Sequence, residues 1–191
     1  MARTAAPGTR ERILGCADRL FYENGIHAVG LQQVIDDCGC GKNLLYREFA
    51  GKDELIAAYL EGRDRQWRDA VAEATAPFAG DPARQIVAIV GLVADQVGAP
   101  DYHGCPFLKA YAEHAGDDHP GRLIPARHLQ AVASTIHGLA EEAGWREPSV
   151  VADRIVLVIQ GMYATGAVLG EAWARAGLAF ADEIVAGAQP S

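Results

Sequence analysis

Cysteine is sparse in this sequence. Four residues in 191 (Cys16, Cys38, Cys40 and Cys105) are too few for a disulfide scaffold and fit a reducing cytoplasm. The start lacks a basic segment followed by an apolar run, so no secretory signal is expected. Long apolar runs are missing too: the longest uncharged stretch, residues 155–170, contains three glycines and Gln160. It falls short of the ~20 apolar residues of a membrane span. No run alternates with period two, which argues against strands. Catalytic signatures are also lacking. There is no Gly-x-Ser-x-Gly, no Gly-x-Gly-x-x-Gly and no P-loop, and Gly39-x-Gly41-Lys42 has neither the spacing nor the preceding strand of a phosphate cradle. No enzyme is expected. None of the six histidines stands three or four residues from another, and no His-Glu-x-x-His occurs. No metal site and no cofactor are expected, although His103 and Cys105, two apart, are the one pairing that suggests a metal-responsive protein.

What is present is an ordinary globular composition, 50% apolar and 22% charged, which excludes a disordered chain. The net charge of −8 speaks against nucleic acid only until it is located. Residues 1–55 carry seven Lys/Arg against eight Asp/Glu, and the remainder ten against seventeen. A nearly neutral head thus precedes an acidic body, and phosphate contacts are local under screening.

Every periodic segment has a helical period. A first helix over residues 9–23 aligns Ile13, Leu14, Ala17, Leu20 and Phe21, and Asn24-Gly25 stops it. Short helices follow over 31–38 and 42–49. Asp53 opens a long helix broken at Pro77. Ile86, Ile89, Val90, Val93 and Val97 mark the next, 107–114 a short one, and Leu129, Val132, Ile136 and Leu139 another whose start Pro125 delays or kinks. Ser149 caps a helix running to about Gly170, and Trp173, Phe180 and Ile184 belong to a last one. The expectation is all-α, about nine helices, with a head at 1–51 and a helical body at 52–191.

The densest signal lies between Gly25 and Leu55. Two helices of about two turns, joined by Cys38-Gly39-Cys40-Gly41, have helix-turn-helix dimensions, and Gly39 suits the positive φ of the turn. Val34, Ile35, Leu45 and Phe49 would pack on Leu14 and Phe21. Lys42, Asn43, Leu44, Tyr46 and Arg47 would then face outward. Cationic and hydroxyl groups suit phosphates, and an amide and a short apolar chain suit base edges. Cys38 and Cys40 are expected to pack as small free hydrophobes, without a zinc set and without a settled sensing role.

The run Cys38-Gly39-Cys40-Gly41-Lys42-Asn43-Leu44-Leu45-Tyr46-Arg47-Glu48-Phe49, then Lys52-Asp53-Glu54-Leu55, resembles the TetR family of bacterial transcriptional regulators. Upstream the likeness continues through Ile13-Leu14, Ala17, Leu20-Phe21, Gly25 and Val34-Ile35. It implies a cytoplasmic homodimer on palindromic operator DNA, usually a repressor, released when a small molecule enters the body. Lys42, Tyr46 and Lys52 match phosphate-contacting positions; Gln32, Gln33, Asn43 and Leu44 match groove-facing ones. The chain departs from the family at Gly30 and Gly41, where Ser or Thr is usual. The fold survives that loss, but two hydroxyls near phosphates are gone.

In the body, the segment 150–170 carries only Asp153 and Arg154 as charges and is apolar all round, so it must be covered all round. One face packs inward. The other would meet a second copy through Val158, Met162, Thr165, Leu169, Trp173, Phe180 and Ile184, with Gly161, Ala164, Gly166, Ala167 and Gly170 admitting a close backbone. Candidate contacts to a lipophilic effector are Trp67, Gln96, Tyr102, Phe107, Tyr111, His114, His137, Gln160 and Tyr163. The alternatives are an all-α small-molecule-binding protein that does not read DNA, and the metal-responsive regulator noted above.

Overall fold

Glycine and proline punctuation sets the helix boundaries. In the computed structural model, which describes residues 8–191, α1 (Thr9–Asn24) ends where Gly25, at φ 87°, donates its N–H to the Phe21 carbonyl. Then come α2 (Leu31–Cys38), α3 (Lys42–Glu48) and α4 (Lys52–Thr75), which runs into a single 3-10 turn at Ala76–Phe78. Asp81 caps α5 (Pro82–Gly98), its carboxylate accepting from the Arg84 N–H. The chain closes with α6 (Pro106–Glu113), α7 (Pro120–Glu142) and α8 (Pro148–Ala186). The described residues are all-α with no strand; the C-terminal tail adds an isolated bridge between Trp145 and Pro190.

The last two expected helices are the two arms of α8, which meet where Gly170 leaves helical geometry at φ 68° and ψ −161°. One expectation is corrected. Pro125 does not delay its helix: α7 starts at Pro120 and carries Pro125 inside. By length and composition α8 would reach across a bilayer, which the count of uncharged residues did not anticipate. The row Ile155, Ile159, Met162 and Tyr163 is nevertheless buried within the protein.

The chain forms two compact units. The first comprises residues 1–64 with 106–126, and the second 65–105 with 127–191. The first unit's core is Ile13, Ala17, Phe21, Val34, Leu45, Phe49, Leu55 and Leu60, all essentially without exposure. Burial of that kind stabilises by roughly 1.5–3 kcal/mol per large side chain. Leu14, expected in this core, is only half-buried, because Ile13 and Ala17 hold the inward stripe. The second unit's core is an α5–α8 seam: Ile86, Ile89, Val90, Val93 and Val97 with Ile155 and Ile159. Gly166 sits in that seam, where a Cβ would overlap Val97. It serves the inside of the subunit, which corrects its expected place against a second copy.

Candidate nucleic-acid interface

The first unit presents α2 and α3 on a base of α1 and α4. Gly39, at φ 61°, reverses the chain between them and returns its N–H to the Asp36 and Ile35 carbonyls. An L-residue with a side chain pays strain in that conformation, so glycine fits the turn. The same reversal brings the flanking side chains to one side. Cys38 and Cys40 are brought side by side, their Cα atoms 5.4 Å apart, with Cys40 buried and Cys38 half-buried. Cys16 and Cys105 take part in no disulfide among the described residues.

The missing Ser/Thr caps are handled differently at the two helix starts. At α2, Gln33 reaches back and its Oε1 accepts from the Gly30 N–H at 2.6 Å, half of a capping box. At α3, Gly41 offers only its carbonyl, to the N–H groups of Leu44 and Leu45. Gln33 is therefore engaged by its own helix start, a role that its spacing from Gly30 could have signalled.

With Val34, Ile35, Leu45 and Phe49 turned inward, the outward set is Gln32, Gln33, Lys42, Asn43, Tyr46 and Arg47, all exposed, with Leu44 and Lys52 half-buried. Several carry local partners. Gln32 Nε2 donates to Asp36 Oδ1 at 2.8 Å. The Lys42 ammonium lies 5.9 Å from the Tyr46 ring centre. Arg47 Nε stands 3.4 Å from Glu48 Oε1. Burial pushes the Lys52 ammonium below the usual lysine range, with Glu113 and Asp53 opposing the shift.

Charged braces fix this surface from behind. Arg19 of α1 bonds Asp37 of α2, and with a hydrogen bond from Cys16 this holds the Asp37 carboxyl below its ordinary range. Burial raises the Cys16 thiol, and the Asp37 contact adds to that. Arg63 of α4 stands 2.7 Å from Asp18 of α1, yet burial wins and Asp18 is raised. Arg10 reaches from α1 to the far end of α3, where Nη1 donates to the Glu48 carbonyl and the guanidinium lies 4.0 Å over the Phe49 ring. Its Nη2 is 3.3 Å from Glu54 Oε1. The helix pattern gave no sign of these long-range contacts.

The candidate effector residues divide between the units. Phe107, Tyr111 and His114 lie in the first. Phe107 is buried, Tyr111 accepts from Arg122 Nη2 at 2.7 Å, and His114 stacks on His119 with ring centres 4.1 Å apart. The other six lie in the second. Tyr163 donates from its hydroxyl to Gln96 Oε1 at 2.7 Å and accepts at its carbonyl from the Tyr102 hydroxyl at 2.9 Å. The Trp67 Nε1–H and the Gln160 Oε1 are buried without a hydrogen-bond partner. His137 pairs with Asp153 near the surface at 3.0 Å. Among the described residues no group of three or more His, Cys, Asp or Glu is arranged to hold a metal ion.

On α8 the residues expected to meet a second copy also divide. Leu169, Trp173 and Phe180 are exposed, as is Thr165; Val158 and Ile184 are half-buried. Met162 is buried against Gly177, where a Cβ would overlap its sulfur, so it closes the seam between the two arms of α8. Leu157 (71% exposed) and Val168 (86%) extend the apolar face, although the sequence reading passed over them. A groove of about 480 Å³ runs along it, floored by Gly161 and Gly177 and flanked by Leu157, Trp173 and Phe180.

Residues 13–59 match the model of the family described as bacterial regulatory proteins, tetR family. The chain is 36% identical over 58 residues to the HTH-type transcriptional regulator UidR of Escherichia coli, a match covering 30% of each protein. It is 31% identical over 116 residues to the HTH-type transcriptional regulator LmrA of Bacillus subtilis, covering 60% of this chain and 61% of that one. The chain thus spans under two thirds of the length of these curated relatives. The likeness is longer in structure. A TetR-family transcriptional regulator from Streptomyces coelicolor superposes with a TM-score of 0.86 at 30% identity, over 93% of this chain and 94% of that one. With a helix-turn-helix head, an all-helical remainder and a near full-length relative at that identity, this chain belongs to the TetR family of transcriptional regulators.

Proposed function

We propose that this TetR-family regulator works in the cytoplasm as a homodimeric repressor that reads palindromic operator DNA through residues 32–49 and is released by a small lipophilic molecule. One observation carries the reading. The α2–α3 pair buries every large apolar side chain it owns except Leu31, Leu44 and Tyr46, and turns Gln32, Lys42, Asn43, Tyr46 and Arg47 to the outside. Lys42, Tyr46 and Lys52 hold phosphates in this account, while Asn43 and Leu44 meet base edges.

Dimerisation rests on α8. It leaves Leu157, Val168, Leu169, Trp173 and Phe180 exposed, and exposed apolar patches mark interaction sites. A two-fold pairing of such faces buries them. For the effector, the unpartnered Trp67 Nε1–H and Gln160 Oε1 supply one donor and one acceptor inside the second unit, where buried polar groups call for partners. The acidic remainder of the chain favours a neutral or cationic molecule.

A gel shift on the DNA just upstream of the protein's own coding region, against random duplex of equal length, tests the reading. Preferential retention of the upstream fragment is expected. Equal retention of both duplexes, or of neither, contradicts it. Thermal-shift screening with neutral and cationic lipophilic compounds tests the effector.

A further inference from the structure

The recognition helix α3 is short and weakly tied at its ends. Seven residues make under two turns, too few to be stable alone in water. Its start has no side-chain cap, and its last carbonyls have no partner within the helix. Leu45 regains one through the Phe49 N–H at 2.9 Å. Glu48 regains one through Arg10, 38 residues earlier in sequence.

That guanidinium has three anchors on three different groups. It bonds the Glu48 carbonyl, lies over the buried Phe49 ring, and faces Glu54 Oε1. Glu54 Oε2 in turn accepts from the Ala50 N–H at 2.7 Å. This bond, with Arg10 behind it, holds the Glu54 carboxyl below its ordinary range. The pair therefore encloses the junction 48–51, where α3 hands over to α4. The ion pair is nearly half exposed on both sides, and such pairs contribute little to stability. Its content is directional. A planar fork can satisfy a carbonyl and a carboxylate while stacked on a ring, and an ammonium cannot.

We propose that Arg10 is a positioning residue of the DNA-reading surface: bonded to Glu48, stacked on Phe49 and paired with Glu54, it sets the angle at which α3 presents Asn43, Leu44 and Tyr46. The inference rests on the DNA-reading function proposed above. Base contacts need that angle, whereas phosphate contacts tolerate a tilted helix. Losing Arg10 therefore degrades discrimination more than it degrades general affinity.

The test uses the full chain with Arg10→Lys, Arg10→Ala and Glu54→Gln. Binding is measured on the upstream duplex and on a random duplex, from about 50 to about 200 mM salt. Both Arg10 variants are expected to lose about tenfold on the upstream duplex and under about threefold on the random one, with an unchanged salt slope; Glu54→Gln loses less, in the same direction. An Arg10 that instead touches phosphate gives a slope smaller by about 1, equal losses on both duplexes and rescue by lysine, and overturns the proposal. Amide exchange provides a readout that does not depend on DNA. Exchange across 44–50 is expected to quicken about tenfold in Arg10→Lys while the middle of α4 keeps its protection. Unchanged exchange there overturns the brace. If Arg10→Ala fails to fold, Arg10→Lys and Glu54→Gln decide the matter. If the wild type ignores every duplex, the DNA-reading function fails, and exchange still tests the brace.

Discussion

The two units solve opposite problems. The first covers most of its apolar residues within one chain: Phe21, Val34, Leu45, Phe49 and Leu55 are all at or near zero exposure, Tyr46, Tyr111 and Leu123 are the large apolar side chains it exposes, and α2 and α3 turn Gln32, Lys42, Asn43 and Arg47 outward. The second covers one face of α8 against α5 and leaves the other in water, with Leu157, Val168, Leu169, Trp173 and Phe180 outward. A surface that is finished and polar suits a ligand reached through charge and hydrogen bonds, such as DNA. A surface left apolar suits a permanent partner of the same kind. Under the proposed function, the difference gives recognition to one unit and assembly to the other.

Placing charge on the apolar face is the largest way to break the contrast. Leu157→Asp with Phe180→Asp is expected to shift sedimentation from two subunits to one at micromolar protein. Upstream-duplex affinity should fall by more than about a hundredfold, since an unpaired carboxylate resists burial. Unchanged sedimentation would mean that α8 does not pair. Trimming the inside of the first unit comes next. Phe21→Ala is expected to cost about 3–5 kcal/mol in chemical unfolding, whereas Val168→Ala stays within about 0.5 kcal/mol when the subunit is monomeric. Similar costs for both would erase the distinction between covered and uncovered faces.

Smaller effects sharpen the division within the outer surface. Lys42→Ala is expected to weaken all duplexes alike and lower the salt slope by about 1, while Asn43→Ala relaxes sequence preference by about 1–3 kcal/mol. Equal behaviour on operator and random DNA would remove these separate roles.

Acid provides the subtlest contrast. Asp37 and Glu54, both in the first unit, have carboxyls held below the ordinary range. Their contribution is therefore present above the unfolded carboxyl pKa and lost as pH falls through the lowered folded value. Asp18, raised by burial, acts in the opposite sense and offsets part of that loss. Exchange across α2 and α3 should thus rise below about pH 4. Trp67, Trp145 and Trp173 all lie in the second unit, so their emission reports that unit separately and should change at lower pH.

The sequence was most legible where signals are local. Asn24-Gly25, Gly39 and the spacing of Ile13, Ala17, Val34 and Leu45 fixed three helices and their inward faces, because turns and stripes are written over a few residues. Gln33 shows the limit of that reading. Its place three residues after Gly30 marks a cap, whereas the family resemblance alone points it at the groove. Contacts between distant segments left no pattern at all: Arg10 meets Phe49 across 39 positions. A helix that is apolar all round also hides which side faces in. Met162 and Gly166 lie inside rather than on the expected outer face, while Leu157 and Val168 lie outside. Chain order does not reveal that 106–126, with Phe107, Tyr111 and His114, belongs with the first unit and not with the other effector candidates.

Sedimentation of the protein with a labelled upstream duplex tests the central account most directly, because it reads assembly and recognition together. The account requires two subunits on each duplex at salt near 0.15 M, with random duplex of equal length left free. One subunit per duplex, or equal occupancy of the two DNAs, would contradict it.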